Sequence, residues 1–258
     1  MLYTGPVVLS EIISTSAYNH FLSLSLAIHI LSSPKYFLKF NSYANSLLKL
    51  VVEIFPKIYG ISTVSYNVHG LLHIAEDAKR HGPLDSYSCY AFESRIKWLK
   101  RMIHTQNMPL QQCHNRICEK IEFETSKIII TNKQNSIILS KPSPINTRHY
   151  MEASFPKFTI TANKKSDNCV LLHSNTVLKI CYFEEDVDGH LKYAVGHTFV
   201  DVQPLNNEST LKQFHMLIGN FDNVLIKHLC ADIICKMCCF PYELKGAQFF
   251  VCPINHTL

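Results

Sequence analysis

No stretch of this 258-residue chain is long and apolar enough to cross a bilayer. The longest apolar run, FLSLSLAIHIL at 21–31, is too short and carries serines and a histidine. No positively charged segment opens the chain, and Glu11 stands where a signal peptide is apolar. Together these absences predict an intracellular protein, neither secreted nor held in a membrane. The 10 cysteines are then expected to stay mostly reduced and not to form a disulfide framework. There is no internal repeat, which excludes a solenoid or repeat array, and no low-complexity tract. Charged residues make up only 17% against 47% hydrophobic, which excludes a disordered chain. Neither sign of charge dominates. Lys+Arg 25 against Asp+Glu 20 gives +5, a balance that permits a nucleic-acid partner without demanding one.

What is present divides into two textures, and the length allows one large domain or two small ones. Residues 1–124 read as helical. Helices are predicted over 17–33, apolar on several sides and stopped by Ser33-Pro34; over 36–55, closed by Pro56 and Gly60; over 67–80, stopped by Gly82-Pro83; over 92–104; and over 109–121, opened by Pro109. Residues 125–150 read as a linker with a possible edge strand. From 151 to 258 short apolar runs such as CVLLH, VLKICYF, YAVGHTFV and IICKMCCF alternate with breaks at SDN (166–168), VDGH (187–190), GNFDN (219–223) and LKG (244–246). That spacing predicts a small antiparallel β-barrel or sandwich. The expected fold class is α+β, an all-helical N-terminal region followed by a β-rich module.

One stretch concentrates chemistry: YNVHGLLHIAEDAKRHGPLDSYSCYAFESR at 66–95. His69 and His73 are four apart, so a helix would put both imidazoles on one face, and such a pair can chelate zinc. Zinc needs four ligands, and HGLLH has glycine where a metalloprotease helix carries its glutamate. The plain alternative is an amphipathic helix with two polar positions. In AFESRIKWLKRMIH, Phe92, Ile96, Leu99 and Ile103 form an apolar stripe, and Glu93, Lys97, Lys100 and His104 form the stripe beside it. One carboxylate beside a row of cations, extended by Arg101, suits a metal-binding acid next to a phosphate track. It equally suits a solvated face with a Glu93–Lys97 pair. Cys235 and Cys238 make the only Cys-x-x-Cys, in a predicted core strand, and are not paired with the histidines.

The segments MLYTGPVVL, YANSLLKLVVEIFPKIYG, SYNVHGLLHIAEDAKRHGPLDSYSCYAFESRIKWLKR and NMPLQQCHNRICEK together resemble the C-terminal part of transposases of CACTA-type mobile elements. The likeness runs on through SDNCVLL and IICKMCCFPY, and is most specific over 64–118. The same region is similar, more distantly, to the end of the catalytic core of the V(D)J recombinase, where a histidine pair precedes the last acid of a DDE site. The resemblance implies that His69 and His73 are zinc ligands and Glu93 is the third catalytic acid. It also implies Mg²⁺ as the catalytic metal, DNA as the partner with Lys97, Lys100 and Arg101 beside it, and a nuclear location, with a cytoplasmic one as the alternative.

The chain departs from that pattern. Before Glu93 its only aspartates are Asp77 and Asp85, both adjacent in sequence, and the Cys-x-x-Cys that accompanies the histidines in the recombinase is missing upstream. Two-metal phosphoryl chemistry needs all three carboxylates. The expectation is a transposase-derived fragment, truncated at its N-terminus and catalytically incompetent alone. The alternatives are a chromatin- or protein-interaction module built on an SH3-like or bromo-adjacent-homology-like β domain, and, more remotely, a zinc hydrolase on HGLLH.

Overall fold

A free helix end leaves backbone N–H groups without partners, and in one helix a serine side chain supplies the missing acceptor. In the computed structural model, which describes residues 3–105, 107–130, 137–144, 146, 148–186, 189–205, 209–242 and 248–257, α1 (Gly5–Val8) leads into α2 (Thr15–Ser32). The Ser14 hydroxyl caps α2 by accepting from the Ala17 amide at 3.4 Å. Tyr18, Leu22, Leu26, Ala27, Ile30 and Leu31 are all buried, as expected of a helix apolar on several sides. α3 (Asn41–Tyr59) starts five residues later than the pattern predicts and runs past Pro56 to Gly60. Residues 36–40 are turns, and Asn41 Nδ2 donates to the Ala75 carbonyl at 2.8 Å, tying α3 to the chain around Ala75. Gly60, at φ 92°, closes the helix with its N–H on the Pro56 carbonyl.

The helix predicted over 67–80 is two helices, α4 (Tyr66–Gly70) and α5 (Ile74–His81). The N–H groups of Leu71, Leu72 and His73 bond to carbonyls three residues back, a tightened turn that follows Gly70. After α6 (Leu84–Tyr87) come α7 (Tyr90–Met102) and α8 (Pro109–Ile130), the latter nine residues longer than the predicted 109–121.

The predicted linker 125–150 contains structure. It holds the end of α8, strand β1 (Ile138–Pro142) and the first residues of β2 (His149–Ser154). The remaining strands are β3 (Thr159–Thr161), β4 (Cys169–Leu172), β5 (Val177–Glu185), β6 (Lys192–Pro204), β7 (Leu217–Leu229), β8 (Ile233–Pro241) and β9 (Phe249–Pro253), with the short helix α9 (Ser209–Gln213) before β7. All pairings are antiparallel. From β5 they run through β4, β8, β9, β7 and β6 back to β5, while β2 also pairs with β5 and carries β1 and β3. This ring is uneven. β7 and β9 share only a three-residue ladder, whereas β6 and β7 pair along most of their length with two register shifts. The chain is α+β.

GNFDN, predicted as a break, lies inside β7. Gly219 is there for proximity: a Cβ on it would stand 2.5 Å from the Val200 carbonyl oxygen. LKG falls outside the described residues. No helix among the described residues is long and apolar enough to cross a membrane.

The chain forms two compact units, Met1–Ser86 with Ile137–Leu258, and Tyr87–Ser136. This differs from the sequence division at 124/125. The N-terminal helices share a core with the sheet: Leu26, Ile30 and Leu48 pack in one cluster with Leu205, Phe214, Ile218 and Phe250. The Phe214 ring meets Tyr36 and Phe40 edge-on at 5.3 and 5.1 Å. On the other side of the strands, Cys169, Leu171, Val177, Phe199, Leu217 and Met237 form a separate core.

Candidate nucleic-acid interface

The second unit is a helical hairpin organised by one side chain. After α7 ends at Met102, the Oε1 of Gln112 in α8 accepts from the amides of His104 at 3.0 Å and Thr105 at 3.4 Å. Its Nε2 donates to the carbonyls of Thr105 and Asn107 and to the Thr105 hydroxyl. One amide thus satisfies the backbone of the turn that a free helix end leaves open. His104 therefore sits past the helix, not on the stripe with Glu93, Lys97 and Lys100.

α7 itself is exposed on most of its surface. Glu93 lies in its first turn, exposed, with its amide bonded to the Cys89 carbonyl at 2.9 Å. A carboxylate there is favoured by the helix N-terminus. Lys97, Lys100 and Arg101 are exposed and share a face with it by spacing. Among the described residues none of these three cations forms an ion pair, so the expected Glu93–Lys97 pair does not form. The apolar stripe is also uncovered: Phe92 is 69% exposed and Ile96 53%. The Trp98 ring has two further cations near it, with the Arg95 guanidinium 4.6 Å and the Lys120 ammonium 4.8 Å from its centroid. On α8, Arg116 is neutralised by Glu119 at 2.8 Å.

His69 ends up in α4 and His73 at the cap of α5, both exposed. The break between the helices does not part them, because their rings stand edge to face with centroids 5.4 Å apart. Among the described residues no group of three or more His, Cys, Asp or Glu is arranged to hold a metal ion. His69 and His73 belong to the first unit and Glu93 to the second.

Cys235 and Cys238 lie on β8 three residues apart, so they face opposite sides of the sheet. Cys235 is fully buried in the core with Leu171 and Met237, and Cys238 packs toward the helices. The pair cannot ligate one ion.

Sequence reasoning missed Gln112, for which no local signal exists, and the Arg95–Trp98–Lys120 stack, for which the Arg95/Trp98 spacing was a signal. It also missed a His114–Cys118 pair on α8, Nε2 to Sγ 3.6 Å, which is visible as an i,i+4 spacing.

No family model matches this chain, and no curated protein or solved structure is significantly similar to it.

Proposed function

We propose that this chain is a transposase-derived DNA-binding protein that lacks a working DDE site of its own. The observation that supports this reading best is the face of α7, where Lys97, Lys100 and Arg101 stand exposed without carboxylate partners among the described residues. Cations left unpaired in this way are free to neutralise phosphates, and phosphate contacts supply most of a sequence-independent affinity. Glu93 is the one acid of the resembled site in this chain. One carboxylate cannot hold the two Mg²⁺ ions that in-line attack at phosphorus requires. His69 and His73 would be half of a zinc site, leaving two positions to water, so any zinc there is weakly held. Zinc retained through dialysis would contradict this. A nuclear location follows from the proposal.

The test is fluorescence anisotropy with a labelled duplex across a salt series. Each phosphate contact contributes about 0.9 to the slope of log K against log salt. Changing Lys97, Lys100 and Arg101 together to Gln should flatten the slope by about 2–3. An unchanged slope would reject α7 as the contact surface. Mg²⁺-dependent nicking of a plasmid that vanishes in Glu93→Gln would reject catalytic silence.

A second reading rests on the ring of strand pairings from β5 back to β5. It takes 151–258 as a small barrel of SH3-like or bromo-adjacent-homology-like layout that reads chromatin proteins. Binding of histone-tail peptides with no DNA affinity would favour it over the first.

A further inference from the structure

β8 carries neighbouring cysteines that point to opposite faces of the sheet, and each meets another thiol. Cys238 stands directly opposite Cys252 in the antiparallel register with β9. Cys239 meets Cys169 on the other face, but off register, because Cys169 is opposite Met237. This difference decides which pair can be joined. Directly opposed antiparallel residues have Cα atoms about 4.5–5.5 Å apart, inside the range a disulfide spans. Diagonal neighbours stand about 7–8 Å apart, at or beyond its limit. A bond between Cys238 and Cys239 themselves is excluded by their opposite faces.

We propose that Cys238 and Cys252 are a redox-modification site, a dithiol that hydrogen peroxide closes into one cross-strand disulfide. The two thiols have different surroundings. Cys238 is half-buried and Cys252 is fully buried. The Cys252 thiol donates a hydrogen bond to Cys238, which pulls the Cys238 pKa below the ordinary thiol value despite its partial burial. The same bond, with burial and the neighbouring sulfurs, holds Cys252 well above it. Cys238 is thus the more accessible and more readily ionised sulfur and Cys252 the buried one opposite it, the division of labour of an attacking and a resolving cysteine.

The chemistry balances with peroxide as the oxidant. The Cys238 thiolate attacks one peroxide oxygen, the O–O bond breaks and hydroxide leaves, giving a sulfenic acid. The Cys252 sulfur then attacks Cys238, the S–O bond breaks, and the departing hydroxide takes the Cys252 proton as water. Two thiols lose two electrons, and one peroxide becomes two waters.

The full chain is treated with hydrogen peroxide, free thiols are alkylated, and the unreduced protein is digested with trypsin and mapped by mass spectrometry. The expected product joins 237–245 to 246–258 through Cys238 and Cys252, and dithiothreitol reverses it. In C252S the cross-link is lost and Cys238 is trapped by dimedone as a sulfenic acid; in C239S the cross-link persists. The proposal is overturned if the link runs through Cys239 or Cys169. It is equally overturned if Cys238 and Cys252 both remain alkylatable once the exposed Cys89 is fully oxidised. The wild-type map needs no variant to fold.

Discussion

His29 carries both ring nitrogens into the core, where neither has a hydrogen-bond partner among the described residues. It is fully buried on α2, and its backbone carbonyl, not its ring, accepts from Asn255 Nδ2 at 3.1 Å. Burial, and secondarily His215, lowers its pKa to about 4. Its ring is therefore neutral in the folded protein at pH values where the unfolded chain already binds a proton. Stability is fully present above pH about 6.5 and is lost as pH falls toward about 4, by an amount on the order of 3 kcal/mol. His215, whose pKa is also lowered by burial, with Lys35 adding to it, contributes with the same sign. His29→Leu removes two buried unpaired nitrogens as well as the proton site. Urea midpoints at pH 7 and pH 5 should then move closer together than in the wild type, with no loss of stability at pH 7. A variant that keeps the full acid sensitivity would show that another group carries it. The sequence made α2 legible as a buried helix from its apolar positions. It could not show that a histidine at position 29 lacks a partner, because partners for a ring nitrogen come from distant segments such as 254–257.

At the scale of elements, local pattern succeeded where one signal acted alone and failed where packing overrode it. α2 and α7 follow their periodicity to within about two residues, the usual uncertainty of helix ends. The helix over 67–80 failed at Gly70, whose weak helix propensity let the chain tighten into a turn. GNFDN failed for the opposite reason, because its glycine serves close approach between strands and not a turn. Two alanine substitutions separate these roles. A Cβ at Gly70 meets nothing within 4 Å, so Gly70→Ala should stabilise by about 0.5–1 kcal/mol and raise helix content. A Cβ at Gly196 would stand 2.1 Å from the Lys179 carbonyl oxygen. Relief requires opening the β5–β6 ladder where Ile180 pairs with Gly196, so Gly196→Ala should destabilise by at least about 2 kcal/mol. Urea denaturation with far-UV circular dichroism reads both, and a destabilised Gly70→Ala would mean that the break between α4 and α5 is itself required.

For the molecule as a whole, the period of the sequence changes near 125, yet the compact units do not divide there. Periodicity reports how each segment folds locally, whereas the apolar faces report what it packs against, and only contact shows which faces meet. The candidate residues were legible as individuals: His69 and His73 do adjoin, and Glu93 with its cations does lie on an exposed helix. The shared core of Met1–Ser86 and Ile137–Leu258 was not legible, because its members Tyr36, Phe40 and Phe214 are about 175 residues apart in sequence. Phe214 is fully buried and makes the edge-on aromatic contacts that link the two segments. Phe214→Ala should cost about 3–5 kcal/mol, the usual effect of emptying a buried phenylalanine site. Because the core is shared, that loss falls on both sides of it. Hydrogen exchange followed by mass spectrometry should show peptides of α2 and α3 losing protection together with peptides of β7 and β9, and by similar factors. If only the strands from 137 onward became less protected, while α2 and α3 kept their wild-type protection, the helices and the sheet would be separate folding units after all.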